Sequence, residues 1–73
     1  MTLDILKKLA ARPFEPFVVV MSSGQRYEVP TAEHAGLHPD KKRIVIWFDD
    51  GSGVILSGLH ITSIEEPGRL AKG

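Results

Sequence analysis

The stretch that decides the fold is FVVVMSSGQRYEVP, residues 17–30. It begins with five apolar residues, three of them β-branched valines, and a Ser-Ser-Gly break follows. Residues 25–29 then alternate polar and apolar side chains until Pro30 ends the run. Two β-type runs on either side of a Ser-Gly break predict a β-hairpin, with strands at about 17–21 and 25–30.

A helix is predicted before this hairpin, over about residues 2–11. Its apolar residues fall at helical spacing on one face, which comprises Leu3, Leu6, Leu9 and Ala10. Pro13 disfavours the helical conformation at the preceding residue, so the helix ends close to Ala11. A helix this short is unstable alone, and we expect its leucine face to dock on the β-structure.

Three more strands are predicted after the hairpin, at about 43–48, 53–57 and 59–65, with a frayed tail at 67–73. Between the hairpin and the third strand, Thr31 and Gly36 predict a single helical turn. Closing five short strands into a barrel removes their edges and buries a shared apolar face. The prediction is therefore one domain, 1–73: mainly β, with an N-terminal helix and a five-stranded, strongly bent antiparallel small barrel.

Composition limits the possible functions. The chain has 73 residues, no cysteine, and nine basic against nine acidic residues. A domain this small has marginal stability alone, and disulfides and thiolate metal sites are excluded. No apolar run approaches the length of about 20 residues that spans a membrane, and no export signal is recognisable. We expect a cytoplasmic protein without a cofactor, for which a nucleic-acid partner is not favoured.

The order of elements resembles the Sm-like fold, a small barrel of five bent strands behind an N-terminal helix. Two stretches carry the resemblance: the alternating apolar residues of 17–29 around Gly24, and residues 56–64, which end in Ile-x-x-Ile. It implies RNA binding as an alternative function, with candidate residues Lys41, Lys42, Arg43 and His60. The loop over 31–38 contains no Asp or Asn, and Ser57 stands where RNA-binding members carry arginine.

The connector between helix and hairpin carries a second resemblance. Residues 12–17 read Arg-Pro-Phe-Glu-Pro-Phe. This segment, followed by a glycine-turn hairpin, resembles short uncharacterised bacterial proteins, and that resemblance implies no activity. The two prolines make the connector stiff, and Phe14 and Phe17 are the aromatic side chains expected to anchor the helix to the sheet.

Catalytic and metal-binding motifs are weak. His34 and His38 stand four residues apart, the spacing of two zinc ligands on one helix face, and they are the candidates for a metal or small-ligand site. Gly36 and Pro39 interrupt a helix there, which favours two loop histidines instead. No serine lies in a nucleophile motif, so no enzymatic activity is predicted.

The strongest functional indication is an excess of apolar residues. Alternation along the strands predicts that five of them point away from the barrel interior: Val18, Val20, Val45, Trp47 and Ile55. A solvated sheet face should alternate with polar side chains, so the helix or a partner must cover them. We therefore predict an interaction module that self-associates or binds another protein, with Trp47 at the centre of the interface. The alternative for Trp47 is a position under the N-terminal helix.

Overall fold

The computed structural model describes residues 2–66, and it is mainly β with one N-terminal helix. Its elements are helix α1 (Thr2–Ala10), strands β1 (Phe17–Met21) and β2 (Arg26–Val29), a 3₁₀ turn (Ala32–His34), strands β3 (Ala35–Leu37), β4 (Arg43–Trp47) and β5 (Gly53–Ser57), a second 3₁₀ turn (Gly58–His60) and strand β6 (Ile61–Glu65). The predicted tail, residues 67–73, lies outside the described residues.

The strands form two antiparallel three-stranded sheets, in the orders β2-β1-β6 and β3-β4-β5. The predicted five-stranded barrel is corrected, because residues 2–66 hold six strands and no strand pairing joins the two sheets. The additional strand is β3, whose Ala-Gly-Leu sequence is too short and glycine-containing to signal a strand. The Sm-like barrel is therefore not confirmed. The shared apolar face is buried by packing one sheet on the other, not by closing a single sheet.

The predicted first hairpin is confirmed. Strands β1 and β2 pair in a register that sets Phe17 opposite Val29 and Val20 opposite Arg26. Gly24, at φ 91°, occupies the left-handed region that glycine adopts without steric cost, and its N–H donates to the Met21 carbonyl at 2.9 Å. The Ser-Gly break thus fixes the register of the β1–β2 hairpin.

One apolar core lies between the two sheets. Side chains alternate along a strand, so residues 17, 19 and 21 of β1 and residues 44 and 46 of β4 point into it. The buried core consists of Ile5, Phe17, Val19, Met21, Val29, Ala35, Ile44, Ile46, Leu56 and Ile61. The intervening residues of both central strands therefore lie on the outer faces of the sheets.

Helix α1 docks on this core through a face that shares only Leu9 with the predicted one. Ile5 is fully buried, whereas Leu3 and Leu6 are 60% and 43% exposed. Leu9, one turn after Ile5, is partly buried against the core, so these two residues define the docking face. The expected leucine face is therefore corrected to a docking face that is centred on Ile5 and includes Leu9. No helix within residues 2–66 is long and apolar enough to cross a bilayer.

The two aromatic residues of the connector pack against the same core that holds Ile5 of the helix. The Phe14 and Phe17 ring centroids lie 6.0 Å apart with the planes tilted by 53°, and Phe17 is only 1% exposed. At the other end of the chain, Lys8 of α1 forms an ion pair with Glu66 at 2.7 Å. Helix α1 is thus attached both at the connector and at the end of β6.

Candidate interaction surface

The five predicted interface residues lie on two different surfaces. Val18 and Val20 occupy the outer face of the sheet centred on β1, and Val45, Trp47 and Ile55 occupy the outer face of the sheet centred on β4. From the sequence alone, the five residues form a single group of excess apolar side chains. The structure separates them, and the two surfaces differ in how they are covered.

Charged side chains of the neighbouring strands cover the first outer face. Val18 is only 6% exposed, and the strand register sets Glu28 on one side of it and Glu65 on the other. Arg26 lies opposite Val20 and forms an ion pair with Glu65 across strand β1. The hydrogen bond from Arg26 holds the pKa of the Glu65 carboxyl below its ordinary value, so the pair stays charged at neutral pH. This face therefore needs no partner to cover Val18.

The second outer face is open. Val45 is half-buried, while Trp47 is 46% and Ile55 is 54% exposed. Val45 and Ile55 are directly opposed in the β4–β5 register, so their side chains are neighbours on the same surface. We call the three residues Val45, Trp47 and Ile55 the outer apolar face. No charged side chain lies opposite Val45, since its two cross-strand partners are Gly36 and Ile55.

Two glycines let the Trp47 indole lie flat on this face. A Cβ atom at Gly36, on β3, would stand 3.3 Å from the Cη2 atom of Trp47. A Cβ atom at Gly53, on β5, would stand 3.2 Å from its Cδ1 atom. The ring thus extends across the sheet from one neighbouring strand to the other, with one face on the backbone and the other outward. Trp47 is not under α1, because its neighbour Ile46 faces the core that holds Ile5.

A groove continues from the outer apolar face. We call it the aromatic groove. Its volume is about 360 Å³, and it is lined by the aromatic side chains of Tyr27, Trp47 and Phe48 together with charged side chains, among them Arg26, Glu28 and Asp49. The rings of Tyr27 and Phe48 are stacked, with centroids 6.4 Å apart and planes 21° apart. Phe48 is 40% exposed. The groove therefore runs from Trp47 past the end of β4 to Tyr27 of β2 in the other sheet, and its lining mixes aromatic and charged side chains.

His34 joins the two loops that border this groove. Its Nδ1 atom lies 2.8 Å from the Thr31 hydroxyl and its Nε2 atom 2.8 Å from the Asp49 carboxylate. The order Thr, His, Asp has the connectivity of a hydrolase triad, but a triad needs a buried aspartate. Asp49 is 94% exposed, and the Thr31 oxygen accepts the N–H of Glu33 as a helix cap. The arrangement fixes the loops and is not built for nucleophilic attack.

The predicted metal candidates point to different partners. His38 lies 3.2 Å from Asp40, whereas His34 contacts Asp49. Strand β3 separates the two histidines, and at about 3.3 Å per extended residue they stand roughly 13 Å apart along the chain. Within residues 2–66 no three His, Cys, Asp or Glu side chains form a group that could hold a metal ion.

The predicted RNA-binding residues are only partly brought together. Lys41, Lys42 and Arg43 line a cleft of about 610 Å³ at the start of α1, and His60 is not among its lining residues. Asp40 lies in the same cleft. The backbone N–H of Lys42 and the Arg43 side chain hydrogen-bond its carboxylate, and they lower its pKa to about 2. The cleft is thus a separate feature, on a different part of the molecule from the aromatic groove.

Comparison of the chain with protein-family models, with curated proteins and with solved structures gave no match. The assignment of the site therefore rests on its geometry. Sequence reasoning missed the ion pair between Arg26 and Glu65, although opposite charges on strands that flank a valine are a usable signal once the pairing is known. It also missed the two glycines under Trp47, which no local pattern relates to an aromatic residue elsewhere in the chain.

Proposed function

We propose that this chain is a non-enzymatic interaction module that self-associates through the outer apolar face. The observation that carries the proposal is the contrast between the two sheets. Charged side chains cover Val18 on one sheet, whereas Trp47 and Ile55 on the other are half-exposed and lie next to Val45 without a charged neighbour in register. An exposed apolar patch of this kind, bordered by polar residues, is typical of a protein-interaction site.

A second copy of the chain is the occupant that the surface favours. The chain carries nine basic and nine acidic residues, so no net charge opposes the approach of a second copy. A stable interface buries about 800 Å² on each partner, which is roughly one sixth of the 4894 Å² accessible surface. The outer apolar face would form its centre, and the aromatic groove beside Phe48 would supply the surrounding contacts. A two-fold axis through the Trp47 region would place the same flat surface on both copies.

Self-association would also increase the stability of the folded chain. A chain of 73 residues without cysteine builds only a small core, and small domains are commonly stabilised further by a second subunit. The proposal includes no catalytic role, because the Thr31 hydroxyl and the His34 imidazole described above are engaged in a helix cap and a contact between loops. We expect the module to act by assembling, with binding of other proteins as the alternative occupant of the same face.

The test measures mass in solution by sedimentation over a range of concentrations. The wild-type chain should form dimers or larger assemblies at micromolar concentration, and Trp47→Glu should be monomeric. The matched control is Leu3→Glu, because Leu3 is a more exposed apolar residue that lies on α1 and not on the sheet. Circular dichroism verifies that both variants remain folded. A wild-type chain that stays monomeric at high micromolar concentration, or a Trp47→Glu variant that associates as wild type does, would refute the proposal.

A further inference from the structure

The cleft at the start of α1 has a volume of about 610 Å³. Three separate segments form it: the first turn of α1, the turn between β3 and β4, and the corner after β5. The side chains that define its character are Thr2, Lys41, Lys42, Arg43, Ser57 and Leu59. We call it the basic cleft. It shares no residue with the outer apolar face or with the aromatic groove.

The positive charge of the basic cleft is only partly compensated. Three basic residues and one acidic residue line it. Asp40 is engaged, because it accepts hydrogen bonds from the Arg43 Nε atom at 2.7 Å and from the Lys42 backbone N–H at 2.9 Å. Among residues 2–66, neither the Lys41 nor the Lys42 ammonium group has an ion-pair partner. In a chain whose net charge is zero, two free cations beside a cavity attract an anion.

The floor of the basic cleft is held in place. The Gly58 N–H donates to the Lys42 carbonyl at 2.9 Å. A Cβ atom at Gly58 would stand only 2.5 Å from the Thr2 Cγ2 atom, so only glycine permits this approach of the corner to the helix. The Ser57 hydroxyl oxygen accepts the Leu59 N–H at 3.3 Å and keeps its own proton free to donate. These contacts fix the backbone that forms the floor, and the Ser57 hydroxyl can donate to a ligand in the cleft.

An apolar side chain stands at the rim of the same cleft. Leu59 is 93% exposed, more than any other large apolar side chain within residues 2–66. It adjoins Ser57 and Gly58 in the 3₁₀ turn, so it lies beside the free hydroxyl and near the lysines. A cavity with cations on one side and a bare leucine on another fits a ligand that is itself anionic at one end and apolar at the other.

We propose that the basic cleft binds a small organic anion, with its anionic group held by Lys41, Lys42 and the Ser57 hydroxyl and its apolar part resting on Leu59. Phosphate monoesters and carboxylates with an aromatic or aliphatic body share this chemistry. Lysine ammonium groups act as point charges toward both. Arg43 also lines the cleft, but its side chain remains hydrogen-bonded to Asp40.

The test titrates the full chain, labelled with ¹⁵N, with phenyl phosphate and follows the backbone amide resonances of Lys42, Gly58 and Leu59. Inorganic phosphate, which lacks the apolar part, and benzyl alcohol, which lacks the charge, are titrated for comparison. The variants are Lys41→Gln combined with Lys42→Gln, and Leu59→Ser. The matched control is Lys7→Gln, because Lys7 is an exposed lysine outside the cleft.

Phenyl phosphate should give saturable shifts at these amides, and the double lysine variant should bind it about tenfold more weakly or worse. Leu59→Ser should weaken it about threefold, and Lys7→Gln should bind as wild type does. The spectra of the variants themselves report whether the fold is kept. A titration with 3-phenylpropionate in place of phenyl phosphate distinguishes a carboxylate from a phosphate ligand.

Three outcomes would overturn the proposal. The first is the absence of saturable shifts into the millimolar range. The second is equal affinity for phenyl phosphate in wild type and in the double lysine variant. The third is binding of a single-stranded RNA, steeply dependent on salt and on these lysines, without binding of phenyl phosphate. That last result would assign the lysines to a nucleic-acid surface instead of a small-molecule cleft.

Discussion

The orientation of helix α1 can be tested by truncating one buried and one exposed residue. Ile5 is fully buried, so Ile5→Ala removes three carbon groups from the core. At about 0.8 kcal/mol for each buried group the loss is about 2.4 kcal/mol, and the cavity left behind raises it to about 3 kcal/mol. Leu3 is 60% exposed, so Leu3→Ala loses only a minor part of this burial free energy, about 1 kcal/mol or less.

The difference of about 2 kcal/mol is large for this chain. Folded domains hold about 0.05–0.15 kcal/mol per residue, which gives about 4–11 kcal/mol for 73 residues. Urea unfolding followed by circular dichroism, at one protein concentration for all variants, measures the free energy of unfolding directly. Holding the concentration fixed matters, because association would add to the apparent stability.

The outcome distinguishes two orientations of the helix. If Ile5 and Leu9 form the docking face, Ile5→Ala lowers the urea midpoint far more than Leu3→Ala does. Equal losses, or a larger loss for Leu3→Ala, would mean that the helix docks through its leucine face and would refute the orientation described above. Unchanged slopes of free energy against urea in both variants would show that the comparison concerns the folded state and not the unfolded one.

Two further predictions follow from the turn at Asp40 and from the floor under Trp47. The pKa of Asp40 lies at about 2 in the folded protein, below its ordinary value of 3.8, so its contribution is present above about pH 4 and is lost as the pH falls through 2. The urea midpoint of Asp40→Asn should therefore fall less between pH 5 and pH 2 than that of wild type, and an equal fall in both would contradict the assignment. Gly36→Val should displace the Trp47 ring toward solvent, because even the first side-chain carbon would stand 3.3 Å from it. The chain has one tryptophan, so a shift of its fluorescence to longer wavelength measures this directly, and unaltered emission would argue against the flat placement.

Strong local signals in the sequence predicted much of the fold. The strand at 17–21 was placed at the observed bounds because a β-branched run ends at a glycine turn, and the strand at 53–57 was placed equally well after the Asp-Asp-Gly turn. Strand β3 was missed because Ala35–Leu37 has no β-propensity of its own and depends on pairing with β4. The last strand was predicted at 59–65 but begins only at Ile61, because a 3₁₀ turn occupies Gly58–His60.

The candidate surface was predicted as a set of residues but not as a surface. Alternation along β1 and β4 identified Val18, Val20, Val45 and Trp47 as outward-facing, and the strand registers agree with that. Alternation does not show what stands beside each residue on the neighbouring strands. That depends on pairing between segments distant in the chain, such as Val18 with Glu65. The division of the set into a covered and an open surface is therefore a property of the topology and not of any local pattern.

The contrast between the two sheets bears on why the outer apolar face is the functional candidate. Both sheets have an apolar central strand, so in both of them valine side chains point to the outer face. In the first sheet, Arg26 and Glu65 on the two flanking strands meet over β1, and Val18 is buried without a partner. In the second sheet, the flanking strands place Gly36 and Ile55 beside Val45, and neither can reach across with a charge. A sequence able to cover one face with two charged residues could cover the other in the same way. The second sheet instead has glycines beside the indole, and this difference is the reason why we propose Trp47 and its neighbours as the contact surface.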